Sequence, residues 1–129
     1  IEWFNTSFAM FLNNLEDSLS SSGHTLKDTV IYCDAPYQFS LAVYQDTTGA
    51  WTLQDDYALL SLIEKLHDKG AKIVMSNVFR NRDKVSQFLI DWCKDKDLKF
   101  EVHHLNKEYG NSSAHKSDKK TDEVLIVSK

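Results

Sequence analysis

Glycine is scarce in these 129 residues and never clustered, with the four glycines at positions 23, 49, 70 and 110. A loop that cradles phosphate with backbone N–H groups needs several glycines within a few residues, so that class of site is excluded. Cysteine is nearly as rare. Cys33 and Cys93 form neither a CxxC pair nor a metal-ligand spacing, and both sit in apolar segments. They read as small core residues of a reduced, cytosolic protein. No apolar run approaches the roughly 18 residues of a membrane-spanning helix, and no basic segment followed by an apolar stretch opens the chain. A soluble, cytoplasmic protein without a membrane partner is the expectation. Positive charge is in deficit, with a formal net charge of −4, which excludes a surface coated for nucleic acid but not a local basic face. Met is missing from the first position, where Ile1 stands. The chain therefore reads as a processed, trimmed or excised piece.

What is present is an ordinary globular composition, 42% hydrophobic and 26% charged, at the size of one domain. Phe4, Phe8, Phe11, Leu12, Leu15 and Leu19 recur at spacings of three and four and predict an amphipathic helix over Ile1 to Leu19. Asn5, Thr6 and Ser7 are its N-cap candidates, and the serine run to Gly23 ends it. Thr29 to Cys33 is a short β-branched and aromatic run that reads as a buried parallel strand. Asp34-Ala35-Pro36-Tyr37 stops it, and Gln38 to Gly49 follows as a long loop. Thr52 and Asp55 open a second helix on Tyr57, Leu59, Leu60, Leu62, Ile63 and Leu66, closed by Gly70. Lys72 to Val78 is a strand and Asp83 to Asp95 a helix on Val85, Phe88, Leu89 and Trp92. Lys99 to Leu105 and Glu123 to Val127 are further strands around a polar stretch. No repeat and no linker divides residues 1–129. Alternating strands and helices predict an α/β fold with a mostly parallel sheet, whose ligands bind at the carboxyl ends of the strands. Asp34 and Asn77 stand at such ends.

An aspartate, a proline and an aromatic residue directly after a strand suit the capture of an extruded base. The lone pair of an exocyclic adenine amine is delocalised into the ring until acceptors hold its N–H groups. A carboxylate and the next backbone carbonyl supply two acceptors, and an aromatic ring stacks on the base.

The run VIYCDAPY, Val30 to Tyr37, resembles the Dam-like class of adenine-N6 DNA methyltransferases, whose hallmark is Asp-Pro-Pro-Tyr after a hydrophobic strand. The resemblance extends in order through Tyr44 and Trp51, the strand ending in Ser76-Asn77-Val78, Tyr109-Gly110-Asn111-Ser112 and Glu123 to Ile126. It covers residues 29–128 and implies the C-terminal catalytic half of such an enzyme, part of a restriction–modification system. The implied fold is a partial Rossmann-like methyltransferase sheet, strands 4-5-7-6 with strand 7 antiparallel and helices flanking. The implied reaction moves a methyl group from S-adenosylmethionine to N6 of a flipped adenine in double-stranded DNA. Asp34 and the Ala35 carbonyl would bind the amine, Pro36 would stiffen the turn and Tyr37 would stack, with Asp34 also near the cofactor. Tyr37 and Tyr44 are candidate DNA contacts at this site, and Lys107 and Lys116, in the lysine-bearing stretch from Asn106 to Asp122, are candidate phosphate contacts.

Two departures mark the chain. Ala35 replaces the first proline of the motif, which keeps the carbonyl acceptor but adds a backbone N–H and loosens the turn. The Phe-x-Gly-x-Gly segment that holds the methyl donor has no counterpart among the scattered glycines, so the cofactor half and the target-recognition domain are expected to be absent. The strand at Thr29 to Cys33 would then present an open apolar edge, for a second copy of the chain or for the other half of the sheet. A non-catalytic, split or degenerate module that binds a partner or DNA is the alternative function. A flavodoxin-like or receiver-like domain lacks its clustered acids or phosphate loop here. The bland reading of Asp34 is a turn cap, and that of the lysines in Asn106 to Asp122 is a solvated hairpin loop. His103 and His104, adjacent on a strand, point to opposite faces, which is poor geometry for one metal.

Overall fold

The computed structural model describes residues 6–35, 51–105 and 121–129. Contacts group the chain into two compact units, Ile1–Ile31 with Thr52–Ile73 and Tyr32–Trp51 with Val74–Lys129.

In the first unit, α1 (Phe8–Ser21) begins at Ser7, whose side chain accepts a hydrogen bond from the Met10 N–H at 3.2 Å. This satisfies one of the orphan donors of the first turn. The helix ends at Gly23, which takes φ of 80°. The N–H groups of Gly23 and His24 donate to the carbonyls of Ser20 and Leu19, a Schellman closure that needs a left-handed residue at this point. Of the expected apolar stripe, Leu12 is buried, Phe8, Leu15 and Leu19 are half-buried, and Phe11 is exposed; Phe4 lies outside the described residues. A single 3-10 turn, Leu26–Asp28, leads into β1 (Val30–Cys33).

The helix α2 (Leu53–Asp68) opens on the capping box read from the sequence: Thr52 Oγ1 accepts from the Asp55 N–H, and Asp55 Oδ2 accepts from the Thr52 N–H. It closes on Gly70 at φ of 109°, with Gly70 and Ala71 donating back to His67 and Leu66. A side chain at position 70 would also meet Lys27 Cγ at 2.7 Å, so glycine is required there twice over. The helices α1 and α2 pack on each other, and Lys69 Nζ reaches Glu16 at 2.8 Å across their exposed rim. Leu59, Leu60, Ile63 and Leu66 form the buried face of α2.

The second unit is built on antiparallel pairs. β2 (Lys72–Asn81) pairs with β3 (Lys84–Val85) and with β5 (Thr121–Ser128), and β5 pairs with β4 (Phe100–His104). The strand order is β1-β2-β5-β4, with β3 joined to β2 off this path. Met75, Ile126 and Val102 stand in register across the three long strands, and Met75 and Ile126 are fully buried. α3 (Gln87–Asp95) lies against β4, with the Trp92 and Phe100 rings 5.1 Å apart and Leu89 and Cys93 buried.

The structure corrects several expectations. β5 lies between β2 and β4 and runs antiparallel to both, and β3 adds a further antiparallel pair on β2 that the sequence pattern did not announce. β1 is not buried on both faces. Val30 and Tyr32 are 64% and 62% exposed while Ile31 is buried, the alternation of a strand covered on one side only. β2 continues to Asn81, so Asn77 lies inside the strand and not at its end. The segment at Asp83 is a hairpin turn, and the following helix starts at Gln87, with Ser86 at the N-cap position but without a side-chain capping bond.

Candidate active site

Asp34 directly follows β1 and is exposed, and its Oδ1 accepts a hydrogen bond from Ser76 Oγ on β2 at 3.0 Å. A hydroxyl bonded to one carboxylate oxygen fixes the rotamer, and no described residue bonds the other oxygen, Oδ2. Charge-assisted bonds of this kind are the strong ones, so the carboxylate is presented as a preset acceptor for an incoming N–H. Ala35, half-buried, carries the next backbone carbonyl. Pro36, Tyr37 and Tyr44 lie outside the described residues, as do Lys107 and Lys116. Of the sequence-derived site residues, the structure therefore places Asp34 and Ala35, and it adds Ser76 as the group that orients Asp34.

The surroundings of Asp34 come from a change of neighbour along β2. β5 and β3 both pair with Arg80 and Asn81, so they flank β2 on opposite sides, and β3 takes the side on which β1 lies. Beyond Asp34, β3 therefore continues the edge that β1 leaves. Its ladder begins where the Ser86 N–H donates to the Phe79 carbonyl at 2.8 Å. Asn77 and Val78 stand between the two neighbours. The Val78 N–H is satisfied by the Asn77 carboxamide oxygen at 2.8 Å.

The sequence reading missed the β2–β3 hairpin and a polar pair on the far strand. His104 Nδ1–H donates to Asp122 Oδ1 at 2.7 Å, and the Phe79 ring meets the His104 ring edge-on at 5.8 Å. His103 turns instead to Glu101, at 3.2 Å. The signal for the hairpin was available in Asn81 and Asp83, two turn-forming residues on either side of Arg82. Cys33 and Cys93 are free; burial alone pushes their thiols up from about 9 to about 11 and about 12. Neither is a nucleophile at neutral pH. No helix among the described residues is long and apolar enough to cross a membrane.

No protein-family model matches the chain. Individual relatives do. The Type II methyltransferase M.FokI of Planomicrobium okeanokoites is 30% identical over 104 residues, 78% of this chain and 16% of the relative. The modification methylase StsI of Streptococcus sanguinis is 31% identical over 122 residues, 92% of this chain and 18% of the relative. The modification methylase LlaI of Lactococcus lactis subsp. lactis is 32% identical over 70 residues, 52% of this chain. The chain thus spans less than a fifth of the length of the curated relatives it matches. Its homologues are type II methyltransferases and modification methylases, and it is similar to one segment of each.

Proposed function

We propose that this chain is the base-binding, catalytic part of an adenine-specific DNA methyltransferase of the Dam-like class, serving restriction–modification. The observation that carries this reading is Asp34, an exposed carboxylate set directly after β1 and held by Ser76. The similarity to methyltransferases over most of the chain supports it. In this reading the observed order β1-β2-β5-β4 corresponds to strands 4-5-7-6 of a methyltransferase sheet, with β5 as the antiparallel strand 7.

The chemistry asked of these residues is acceptance and position. One N–H of the adenine amine donates to Asp34 and the other to the Ala35 carbonyl, which localises the nitrogen lone pair. Pro36 stiffens the turn, and Tyr37 stacks on the extruded base. S-adenosylmethionine is the methyl donor of this reading, and double-stranded DNA the acceptor. The described glycines do not form a cradle for that donor: Gly23 and Gly70 close α1 and α2. The work assigned to this chain is accordingly on the acceptor side. Two free, protonated thiols fit a cytoplasmic setting.

The same shortfall favours a second reading, a split or degenerate module that binds DNA or a partner without acting alone. β1 ends the strand order with Val30 and Tyr32 exposed, and we infer that this edge accepts a strand from a second copy or from another part of the enzyme. Incubation of the chain and a donor-binding methyltransferase half with labelled S-adenosylmethionine and unmethylated DNA separates the two. The catalytic reading expects N6-methyladenine that disappears in Asp34→Ala, whereas the module reading expects DNA or partner binding without transfer.

A further inference from the structure

The β2–β3 hairpin gathers three cations on an acidic chain. Arg80, Arg82 and Lys84 lie within five residues, all exposed, with Asp83 the only acid among them. None of the three makes an ion pair among the described residues. Asp122 is the carboxylate in register with Arg80 on β5, but it is bound by His104 at 2.7 Å and is not spent on Arg80. The hairpin therefore carries uncompensated positive charge in a protein whose net charge is −4.

These cations are held in place. Arg80 Nε–H donates to the Arg82 carbonyl at 2.9 Å, which fixes the guanidinium while leaving its terminal nitrogens free for a ligand. Arg82 itself sits at φ of 63°, in the left-handed region that a two-residue hairpin of this hand demands and that Gly or Asn fills at less cost. A bulge between Val78 and Arg80 re-aims the strand just before the turn.

The hairpin also stands in a definite place relative to Asp34. Both belong to the second unit. Ser76, which holds Asp34, is five residues before Asn81 on the same strand, so the turn projects about 17 Å beyond the carboxylate at the rise of a β-strand. Successive phosphates on one DNA strand advance about 3.4 Å along the helix axis, so a span of this length laid along the axis covers about five base-pair steps. A strand whose extruded base reaches Asp34 has flanking phosphates within range of the turn.

We propose that the Arg82–Asp83 hairpin, with Arg80, Arg82 and Lys84, is a phosphate-gripping element that holds duplex DNA beside the base site. The contacts are to backbone and not to bases, so they add affinity and position without sequence preference. The proposal rests on the DNA reading given above but uses none of its motif residues.

Fluorescence anisotropy with a labelled duplex oligonucleotide, titrated at several salt concentrations, tests it. The variant is Arg82→Asn with Lys84→Gln, because Asn tolerates the left-handed turn and the fold is kept, as circular dichroism checks. Affinity should fall about tenfold or more, and the slope of log affinity against log salt should flatten by about 2, one for each cation removed. Asp83→Asn should tighten binding and steepen the slope. An unchanged slope and affinity in the double variant, or no duplex binding by the parent protein, overturns the proposal. Hairpin-dependent binding of single-stranded RNA without duplex binding also overturns it. A separate methyl-transfer assay distinguishes the failures. Transfer by the parent protein with hairpin-independent DNA binding removes the hairpin role and leaves the enzyme reading, whereas hairpin-dependent duplex binding without any transfer does the reverse.

Discussion

β1 and the β2–β5–β4 ladder divide the labour of this sheet. β1 is four residues long, with two of its side chains more than 60% exposed, and it is followed directly by Asp34, the carboxylate of the proposed base site. The ladder is long, antiparallel and sealed, with Met75, Val124 and Ile126 inaccessible to solvent. A binding site needs open polar groups, while stability needs excluded water and filled volume, and here the two needs fall on different strands. Stability and function should therefore respond to different substitutions.

The largest expected effect is on the ladder. Ile126→Ala removes a fully buried side chain and should cost about 2–5 kcal/mol in unfolding free energy, read from the urea midpoint, while Val30→Ala on the exposed face of β1 costs far less. A loss below about 1 kcal/mol would mean that the ladder is not the stabilising core.

Alkaline pH probes β1 through Cys33 and the helix α3, which packs on β4, through Cys93. Burial raises the folded-state pKa of Cys33 to about 11 and of Cys93 to about 12, from about 9. The unfolded chain thus loses these protons first. Stability from the two thiols is complete below about pH 9 and is lost as pH rises from about 9 towards 11 and 12. Replacing both with Ala should flatten that decline relative to the parent protein, and an identical pH profile would remove the assignment.

Smaller effects sharpen the contrast at the β1 end. Ser76→Ala deletes the hydroxyl that fixes Asp34, at an expected cost of about 1 kcal/mol or less in stability. Methyl transfer should slow by more than that stability change accounts for. Restoration by Thr at position 76 would mark the hydroxyl as a positioning group. Smallest of all, Tyr32→Ser should leave stability within about 0.5 kcal/mol, since the ring is exposed, yet weaken any association through the β1 edge as seen by light scattering.

The local signals of this fold were legible and the long-range ones were not. Thr52 with Asp55 announced α2, Gly70 its end, and Ser7 stood among the caps offered for α1. Each of these depends on residues within four or five positions. The covering of β1 depends on what lies over it, and a run such as Val30 to Cys33 reads the same whether one face or two is buried. Asp83 stood at the start of the expected helix because a short polar residue before apolar spacing serves equally in a turn, and only the pairing of Lys84 with Asn81 decides for the hairpin. Asp34 was visible through its motif. Its partner Ser76 lies 42 positions away and is fixed by the juxtaposition of β1 and β2, which no local pattern encodes.

The most direct test of the central claim is nucleoside analysis of unmethylated DNA after incubation with isotopically labelled S-adenosylmethionine and a donor-binding methyltransferase half, for the parent protein and for Asp34→Ala at matched stability. The account predicts label in N6-methyladenine with the parent and at least about a hundredfold less with the variant. Label in a methylated cytosine, or transfer that survives the loss of Asp34, would contradict it.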